Sequence, residues 1–480
     1  MPAAPASEFD LAVVGSGGGA FAAAIRATSL GLRVVLIERA TIGGTCVNTG
    51  CVPSKALLAA ADARSTAADA TRFPGVAADP RPVDMAGVVA GKDSLVEGMR
   101  AEKYADLVDD HGWDLRRGTA AFGGTAEGPV LEVTDADGAV GTVRARHYLV
   151  ATGSAPWAPP ITGLDGVDHL TSTTAMELEE PPGSMLVLGG GYVALEQAQL
   201  FARLGCEVTV LARSRLLSGE EPEVSRALLE VLADEGVRVV PRATVESVRA
   251  CSTTGCVVVT AGTRAGRQEH TASRLLVATG RRPVTEGLRL EPVGVRTGER
   301  GEVVVDDTLA TTDPRIWAAG DVTGHPAFVY VASAHGALVV ANAFEGAGRR
   351  IDYSGLPRVT FTSPSVGAVG MTDEQARAAG IRCECRVLPL EHVPRALVNR
   401  DTRGFVKIVA EVGAGRVLGI TAVAENAGDL AAAGGYVLAG GMTVEQVATA
   451  WSPYLTMAEG LRIAAQSFTT DVSKLSCCAV

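Results

Sequence analysis

The sequence predicts an α/β protein of two or three domains, and three observations indicate this. The chain has 480 residues, more than the roughly 250–300 at which a single hydrophobic core stops growing. Its residues are 47% hydrophobic, and much of its glycine, 56 residues in all, lies between short apolar runs. One pattern of strand, glycine turn, helix and strand occurs twice, beginning near Phe9 and again near Ser184. This repetition favours two separate α/β domains.

The composition excludes several classes of function. The formal net charge is −11, whereas a nucleic-acid-binding protein needs a clustered basic surface. The opening residues MPAAPASEFD lack the basic and apolar segments of a signal peptide, and no stretch reaches the roughly 18 unbroken apolar residues of a membrane span. We therefore expect a cytoplasmic protein that binds neither nucleic acid nor a membrane.

Cysteine usage directs attention to two pairs. Nine cysteines in a chain of this length are too few for a disulfide scaffold, and a reducing compartment favours catalytic or metal-binding roles for paired cysteines. The pairs are Cys46 with Cys51, and Cys477 with Cys478. We expect the other cysteines to be small packing or surface residues. They are Cys206, Cys251, Cys256, Cys383 and Cys385.

The first repeat, FDLAVVGSGGGAFAAAIRATSLGLRVVLIER, predicts a dinucleotide site. Gly15 allows the tight turn, Gly17 lets backbone N–H groups approach a pyrophosphate at the helix N-terminus, and the small Ala20 allows close packing of helix and strand. The second strand ends at Glu38, which suits the two hydroxyls of an adenosine ribose. We expect FAD here.

The second repeat, SMLVLGGGYVALEQAQLFARLGCEVTVLARS, places Gly189, Gly191 and Ala194 at the equivalent positions. Where an acidic residue would otherwise follow the second strand, it has Arg213 and Arg215. Guanidinium groups suit the 2′-phosphate of NADPH, although two solvated surface arginines are the alternative interpretation. The sequence therefore favours FAD in the first site and NADPH in the second.

Two further strand ends mark where the chain passes between nucleotide domains. YLVATGSAPW and LLVATGRRP are short apolar strands that end in Thr-Gly turns, at Thr152-Gly153 and Thr279-Gly280. TTDPRIWAAGDVTG ends in Gly320-Asp321. We expect Asp321 to bind the ribityl chain of FAD, with a helix cap as its other possible role.

The stretch GGTCVNTGCVPSK predicts a redox-active dithiol. On a regular helix, Cys46 and Cys51 would stand about 140° apart around the axis and about 7.5 Å along it. A disulfide needs Cα atoms within about 7 Å, so we expect a distortion near Asn48-Thr49-Gly50. At a helix N-terminus the thiolate pKa should be lowered. One turn later, Lys55 could stabilise a thiolate or the reduced flavin. Gly44 and Thr45 open the motif and are further expected cofactor contacts.

Taken together, this cysteine motif, the two glycine fingerprints, the Ala-Thr-Gly turns and Ala319-Gly320-Asp321 resemble the FAD- and NADPH-dependent disulfide oxidoreductases over essentially the whole chain. The resemblance implies a homodimer in which NADPH reduces FAD and FAD reduces the cysteine pair. It implies that Cys46 is the interchange thiol and Cys51 the thiolate against the flavin. It also implies that Glu196 pairs with Lys55 and that Tyr192 covers the flavin until nicotinamide displaces it.

The same resemblance gives the expected domain organisation. A split FAD-binding domain would comprise residues 1–153 and 281–350, and an NADPH-binding domain residues 154–280. An α+β dimerisation domain would comprise residues 351–480 and end in a metal-binding tail.

The C-terminal region departs from the commonest pattern of this family, a His-x-x-x-x-Glu motif whose imidazolium protonates the departing thiolate. Here WSPYLTMAEGL places Tyr454 at the histidine position and keeps Glu459 five residues later. A phenol with a pKa of about 10 is a poor acid–base catalyst at neutral pH. The pattern argues against an organic disulfide as substrate, unless Tyr454 only packs at the interface.

A site that has thiolates but lacks an acid–base catalyst suits a substrate that needs metal coordination and electrons but no proton transfer. Soft thiolates select soft metal ions, and mercury(II) accepts two electrons at once. We expect Cys477 and Cys478 to pass Hg(II) to Cys46 and Cys51, where it is reduced to Hg(0). Because the first fingerprint begins within the first fifteen residues, we also expect no N-terminal metal-binding domain. The alternatives are a thioredoxin-reductase-like relay and a non-catalytic thiol metal buffer.

Overall fold

The computed structural model describes residues 8–252 and 255–474, so the tail pair Cys477 and Cys478 lies outside the described residues. The chain forms two compact units. The first runs up to Ala56 and includes Gly87–Trp157 and Gly280–Ile351; the second comprises Leu57–Ala86, Ala158–Thr279 and the chain from Asp352. No helix in the described part of the chain is long and apolar enough to cross a membrane.

A five-stranded parallel sheet forms the centre of the first unit. Its apolar strands bury both faces, because Ala12 and Val14 contribute to one hydrophobic core and Leu11 and Val13 to another. Along the sheet, the strands are Ile316–Ala318, Ala145–Val150, Phe9–Val14, Val34–Glu38 and Asp114–Arg117. Smaller antiparallel sheets contain Thr119–Gly123, Val130–Thr134 and Val140–Val143, and Ser154–Pro156 with Arg281–Pro283.

Helices lie between these strands in the sequence, as the βαβ pattern predicts. Two of them, Gly18–Ser29 and Val329–Glu345, pack so closely that a Cβ on Gly336 would meet the Gly19 carbonyl oxygen at 2.1 Å. The others that lie wholly in this unit are Gly44–Thr49, the π-helix Ala101–Ala105 and Asp106–His111. The helices Cys51–Ala68 and Met85–Arg100 belong in part to each unit.

The second unit contains three sheets. A parallel sheet and a three-stranded meander share one hydrophobic core, and a five-stranded antiparallel sheet has another. The parallel strands are Arg238–Pro241, Glu207–Ala212, Ser184–Leu188 and Arg274–Val277, and the helices Tyr192–Arg203 and Pro222–Asp234 accompany them. A three-stranded meander is formed by Thr244–Ala250, Val257–Thr263 and Gly266–Ala272.

The antiparallel sheet of the second unit follows Asp352. Its strands, in spatial order, are Arg358–Thr360, Ser365–Gly370, Val417–Ala424, Phe405–Glu411 and Cys383–Pro389. The accompanying helices are Asp373–Ala378, Pro394–Asn399, Ala427–Ala439, Val444–Thr449 and Glu459–Gln466. Two nucleotide-type α/β sheets and a C-terminal α+β region confirm the predicted fold class. The exact domain boundaries stay a prediction.

One expectation about the cysteines is wrong. Cys251 and Cys256, expected to be packing or surface residues, are joined by a disulfide with their Cα atoms 5.4 Å apart. Cys251 directly follows the strand Thr244–Ala250 and Cys256 directly precedes the neighbouring strand Val257–Thr263, a proximity that the spacing in the sequence alone did not reveal.

Candidate active site

The glycine turn of the first unit has a geometry that only glycine accepts. Gly15 has a φ of +111°, and a Cβ there would lie 2.4 Å from the Ala151 carbonyl oxygen. Gly17 caps the following helix in an extended conformation, and Ala20 is fully buried against the sheet. The turn therefore presents the helix N-terminus without side chains, which fits a pyrophosphate.

Beside this turn, the carboxylate of Glu38 is held in a fixed orientation. It accepts a hydrogen bond from Ser16 Oγ at 2.6 Å and another from the Ala40 N–H at 2.7 Å. Gly15, Glu38 and Thr152 line one cleft, so the predicted ribose partner faces the predicted phosphate turn. Sequence reasoning missed Ser16, because its role depends on a contact 22 residues away.

The second unit repeats the backbone geometry. Gly189 has a φ of +138°, and a Cβ there would meet the Ala278 carbonyl oxygen at 2.3 Å. Gly191 caps the helix that begins at Tyr192, and Ala194 is fully buried. This second turn thus fits a pyrophosphate in the same way.

At the end of the next strand, the two predicted phosphate ligands differ in their surroundings. Arg213 is exposed, whereas Arg215 is half-buried and donates a hydrogen bond from Nη1 to the Glu220 carbonyl at 2.7 Å. Tyr192, the first helical residue after the turn, is partly exposed. The chain therefore presents two guanidinium groups and an aromatic ring around one glycine turn.

The predicted distortion between the two cysteines is confirmed. One helix, Gly44–Thr49, carries Cys46, and a second begins at Cys51. Gly50 interrupts them with φ −127° and ψ −111°, where a Cβ would lie 2.8 Å from the Thr45 carbonyl oxygen. Both cysteines are thiols in the structure.

The short helix that carries Cys46 is fixed at its start. Gly44 has a φ of +63°, and a Cβ there would lie 2.6 Å from the Cα of Gly17, so the dithiol helix begins directly against the nucleotide turn. Asn48 Nδ2 donates to the carbonyls of Ile42 and Gly44 at 2.8 and 2.9 Å. Its Oδ1 accepts a hydrogen bond from Arg100 at 3.2 Å.

The electrostatics of the pair differ from the sequence-based expectation. A hydrogen bond with Cys51, burial and the negative charge of Cys51 raise the pKa of the Cys46 thiol, and Lys55 partly opposes this. The expected lowering of the pKa is therefore wrong for Cys46. The neighbouring sulfur of Cys51 therefore disfavours ionisation of Cys46.

Tyr104 is a residue near the dithiol that sequence reasoning missed. It lies in the π-helix Ala101–Ala105, and its ring packs edge-to-face on Phe21 at 4.8 Å. Burial, followed by the charges of Cys46 and Cys51, raises the pKa of its phenol. Single π-helical turns are frequent at functional sites, which agrees with the position of Tyr104 near the dithiol.

The remaining expected cofactor contacts of the first unit meet at the ends of its strands. Asp321 Oδ2 accepts a hydrogen bond from Ser154 Oγ at 2.6 Å, and Arg281 Nε donates to the same Oγ at 2.8 Å. The backbone here requires glycine, because Gly153, Gly280 and Gly320 have φ values of +70°, +142° and +75°.

In the second unit, the expected catalytic carboxylates are both buried. Glu196 Oε1 accepts the Phe361 N–H at 2.9 Å. Glu459 accepts hydrogen bonds from Arg462 at 2.9 Å and from the Leu455 N–H at 3.4 Å. Tyr454 is 48% exposed. Glu459, the glutamate of the family's His-x-x-x-x-Glu motif, therefore pairs with Arg462 in this chain.

These features define a class of protein: an oxidoreductase fold with two dinucleotide turns, one of which contacts the start of the helix that carries the dithiol. The model of the family "Pyridine nucleotide-disulphide oxidoreductase" matches residues 9–336, and that of its dimerisation domain matches residues 356–465. The chain belongs to the pyridine nucleotide-disulphide oxidoreductase family. Its cofactors are accordingly a flavin and a pyridine nucleotide.

Relatives cover nearly the whole chain. A protein named mercuric reductase from Streptomyces lividans is 58% identical over 471 residues, which span 98% of each chain. A mercuric reductase from Bacillus cereus is 45% identical over 473 residues, spanning 98% of this chain and 73% of the relative.

Solved structures share the fold. The Cu(II) complex of the HOCl-induced flavoprotein disulfide reductase RclA from Escherichia coli aligns with a TM-score of 0.86 and 28% identity, covering 97% of this chain and 100% of that one. LpdA from Mycobacterium tuberculosis aligns with a TM-score of 0.85 and 27% identity, covering 96% and 100%.

Proposed function

We propose that this protein reduces Hg(II) to Hg(0) with electrons from NADPH, through FAD and the dithiol Cys46/Cys51. The observation that carries the proposal is the thiol pair beginning against the nucleotide turn, where Gly44 meets Gly17. The mercuric reductases that span almost the whole chain support mercury as the metal.

The residues of the first unit would hold FAD. Gly15 and Gly17 would admit the pyrophosphate, Glu38 the adenosine ribose and Asp321 the ribityl chain. FAD, when bound, accepts two electrons from NADPH and passes them on. Lys55, whose positive charge partly opposes the raised pKa of Cys46, would stabilise negative charge beside the dithiol.

In the second unit, Arg213 and Arg215 would bind the 2′-phosphate of NADPH, which makes NADPH the favoured donor. Arg215 is already held by its hydrogen bond to Glu220, so less conformational entropy is lost on binding. Tyr192 would cover the flavin until nicotinamide displaces it, and Glu196 would pair with Lys55.

Mercury chemistry explains the C-terminal residues. Hg(II) displaces the protons of two thiols when it binds them, and its reduction requires no acid to protonate a leaving thiolate. Tyr454 can therefore replace the histidine of a disulfide reductase without loss, and Glu459 is left to bind Arg462.

We further propose a homodimer in which the tail cysteines Cys477 and Cys478 deliver Hg(II) to Cys46 and Cys51 of the partner subunit. The matched dimerisation domain supports this assembly. Three exposed aromatic residues of the second unit also support it, since Tyr436, Trp451 and Tyr454 are 80%, 103% and 48% exposed in the single chain.

One assay tests the activity. Anaerobic NADPH oxidation is measured with Hg(II) in excess small thiol and compared with glutathione disulfide, lipoamide and thioredoxin as acceptors. We expect oxidation with Hg(II) and little with the disulfides. Oxidation with a disulfide alone would overturn the proposal in favour of a disulfide relay, and metal binding without oxidation would indicate a thiol buffer.

A complementation experiment tests delivery between subunits. A chain with Cys477→Ser and Cys478→Ser is mixed with a chain with Cys46→Ser and Cys51→Ser, each inactive alone in excess thiol. Heterodimers should regain about one working site of two, because one interface pairs an intact tail with an intact dithiol. No recovery in proven heterodimers would contradict delivery to the partner.

A further inference from the structure

Two cysteines with no assigned role share one face of an edge strand. Cys383 and Cys385 lie in the strand Cys383–Pro389, at the edge of the C-terminal five-stranded sheet. Residues two apart in a strand point to the same side. Both cysteines are half-buried, whereas Glu384 between them is exposed on the opposite face.

The two thiols also reach the same neighbouring residue. Cys383 Sγ lies 3.8 Å from the main-chain oxygen of Asp373, and Cys385 Sγ lies 3.8 Å from Asp373 Oδ2. Residues two apart in a strand are separated by about 6.6 Å along its axis. Metal–sulfur bonds of about 2.3 Å, as in zinc sites, span about 4.6 Å between two sulfurs in a linear arrangement. Rotation of each cysteine about its χ1 torsion brings the two sulfurs closer together and closes this difference.

Charges around the pair favour a cation. The buried ammonium of Lys407, 1% exposed, lies 2.8 Å from Glu221, 3.2 Å from Glu223 and 3.5 Å from Asp373. Arg377 makes a second ion pair with Asp373 at 2.9 Å. Three carboxylates thus face two cations, and the excess negative charge adjoins the sulfurs.

The two sulfurs favour a thiophilic ion. Each thiol gives up its proton as it forms a metal–sulfur bond, and soft ions form the strongest bonds to sulfur.

We propose that Cys383 and Cys385 form a second metal site, which holds one soft, two-coordinate ion such as Hg(II) or Ag(I) between their sulfurs, with Asp373 beside it. Binding releases two protons to solvent and transfers no electrons. Within residues 8–252 and 255–474, no group of three or more His, Cys, Asp or Glu side chains is arranged to hold a metal ion. The site therefore suits linear soft ions and excludes tetrahedral Zn(II). The inference does not depend on the proposed reduction of mercury.

The test counts ions on the full-length, FAD-loaded protein. The protein is exposed to Hg(II) or Ag(I) as glutathione complexes, excess glutathione is maintained, and bound ions per chain are measured by native mass spectrometry. Cys383→Ser/Cys385→Ser should retain one ion fewer per chain than the unmodified protein. Glu384→Gln, which alters the exposed residue between them, should retain the same number.

Further arms distinguish a paired site from two separate thiols. Each single serine variant should also lose the whole ion, because one thiolate does not compete with excess glutathione. Alkylation of the unmodified protein, resolved by peptide, should show Hg(II) protecting Cys383 and Cys385 together, and this requires no variant. Three results would each overturn the proposal: an unchanged ion count in the double variant, protection of the two cysteines separately, or retention of Zn(II) equal to that of Hg(II). Mercury turnover should be unchanged in the double variant. A failure of the proposed mercury reduction is therefore a result separate from a failure of this metal site.

Discussion

The two glycine turns have the same backbone but different surroundings. Gly15 and Gly189 both have positive φ, and a Cβ on either would lie within 2.4 Å of a carbonyl oxygen from a neighbouring strand end. After the following strand, however, the first turn meets Glu38, fixed by two hydrogen bonds, and the second meets Arg213, which is exposed. The shared backbone geometry of the two turns fits a dinucleotide. We propose that the residues after the strand select which dinucleotide binds.

The first prediction, with the largest expected effect on cofactor binding, adds one methyl group to the first glycine of each turn. Gly15→Ala should yield protein without flavin, and Gly189→Ala should keep flavin but lose its reduction by NADPH. Positive φ costs an alanine about 1–2 kcal/mol, and the carbonyl contact adds a steric cost. Flavin absorbance and anaerobic titration with NADPH measure both effects.

Matched controls separate strain from close contact. Gly31 and Gly236 also have positive φ, +72° and +78°, but a Cβ on either has nothing within 4 Å. Gly31→Ala and Gly236→Ala should lower stability without removing a cofactor. If they lose cofactor to the same degree, the close approach at Gly15 and Gly189 is not what matters.

A second prediction concerns the residues that distinguish the two turns. Arg213→Gln and Arg215→Gln should each weaken NADPH binding by about 1.5–3 kcal/mol, or roughly 10- to 150-fold, because each removes a charge-assisted contact with the 2′-phosphate. NADH kinetics should change little. Arg226→Gln, an exposed arginine on the nearby helix Pro222–Asp234, is the control and should leave both donors unaffected. A preference for NADH in the unmodified protein would refute the assignment.

A third prediction uses a buried histidine of the first unit. His335 Nδ1 accepts the Gly320 N–H at 3.1 Å, and burial, together with the charge of His325, lowers its pKa to about 4. Between pH 4 and 6.5 the unfolded chain binds a proton that the folded chain does not, so stability falls as pH drops through this window. The loss approaches about 3 kcal/mol.

Flavin release in urea at pH 7.5, 6 and 4.5 measures this loss in the first unit. His335→Gln should be less stable at pH 7.5 but should show a smaller decrease on acidification. His392→Gln, in the second unit, should retain the full decrease. An identical acid profile in the His335 variant would show that this histidine does not cause it.

The sequence predicted the features that depend on local rules. Both glycine turns and the interruption at Gly50 follow from residue type and spacing, because few residues adopt those backbone conformations. The partners that complete them come from distant parts of the chain. Ser16 with Glu38, and Tyr104 beside the dithiol, are brought together only by tertiary packing.

The pKa of Cys46 shows the same limit. Position near a helix N-terminus predicted a lowered value, but the hydrogen bond with Cys51 and burial dominate and raise it. Likewise, the disulfide between Cys251 and Cys256 depends on the approach of two Cα atoms to 5.4 Å, which spacing alone does not fix.

The smallest expected effect tests whether the C-terminal region contributes chemistry as well as packing. Tyr454→Phe removes only a hydroxyl from a half-exposed ring. If that hydroxyl orients the metal, turnover of Hg(II) should fall several-fold, in keeping with about 1 kcal/mol for one hydrogen bond. Tyr436→Phe makes the same change in another exposed tyrosine of the second unit and should leave turnover unchanged. Tyr454→His should raise activity toward glutathione disulfide, because an imidazole restores an acid of suitable pKa. Equal Hg(II) turnover in the two phenylalanine variants would reduce Tyr454 to a packing residue, and the two nucleotide turns with the dithiol would then account for the chemistry without it.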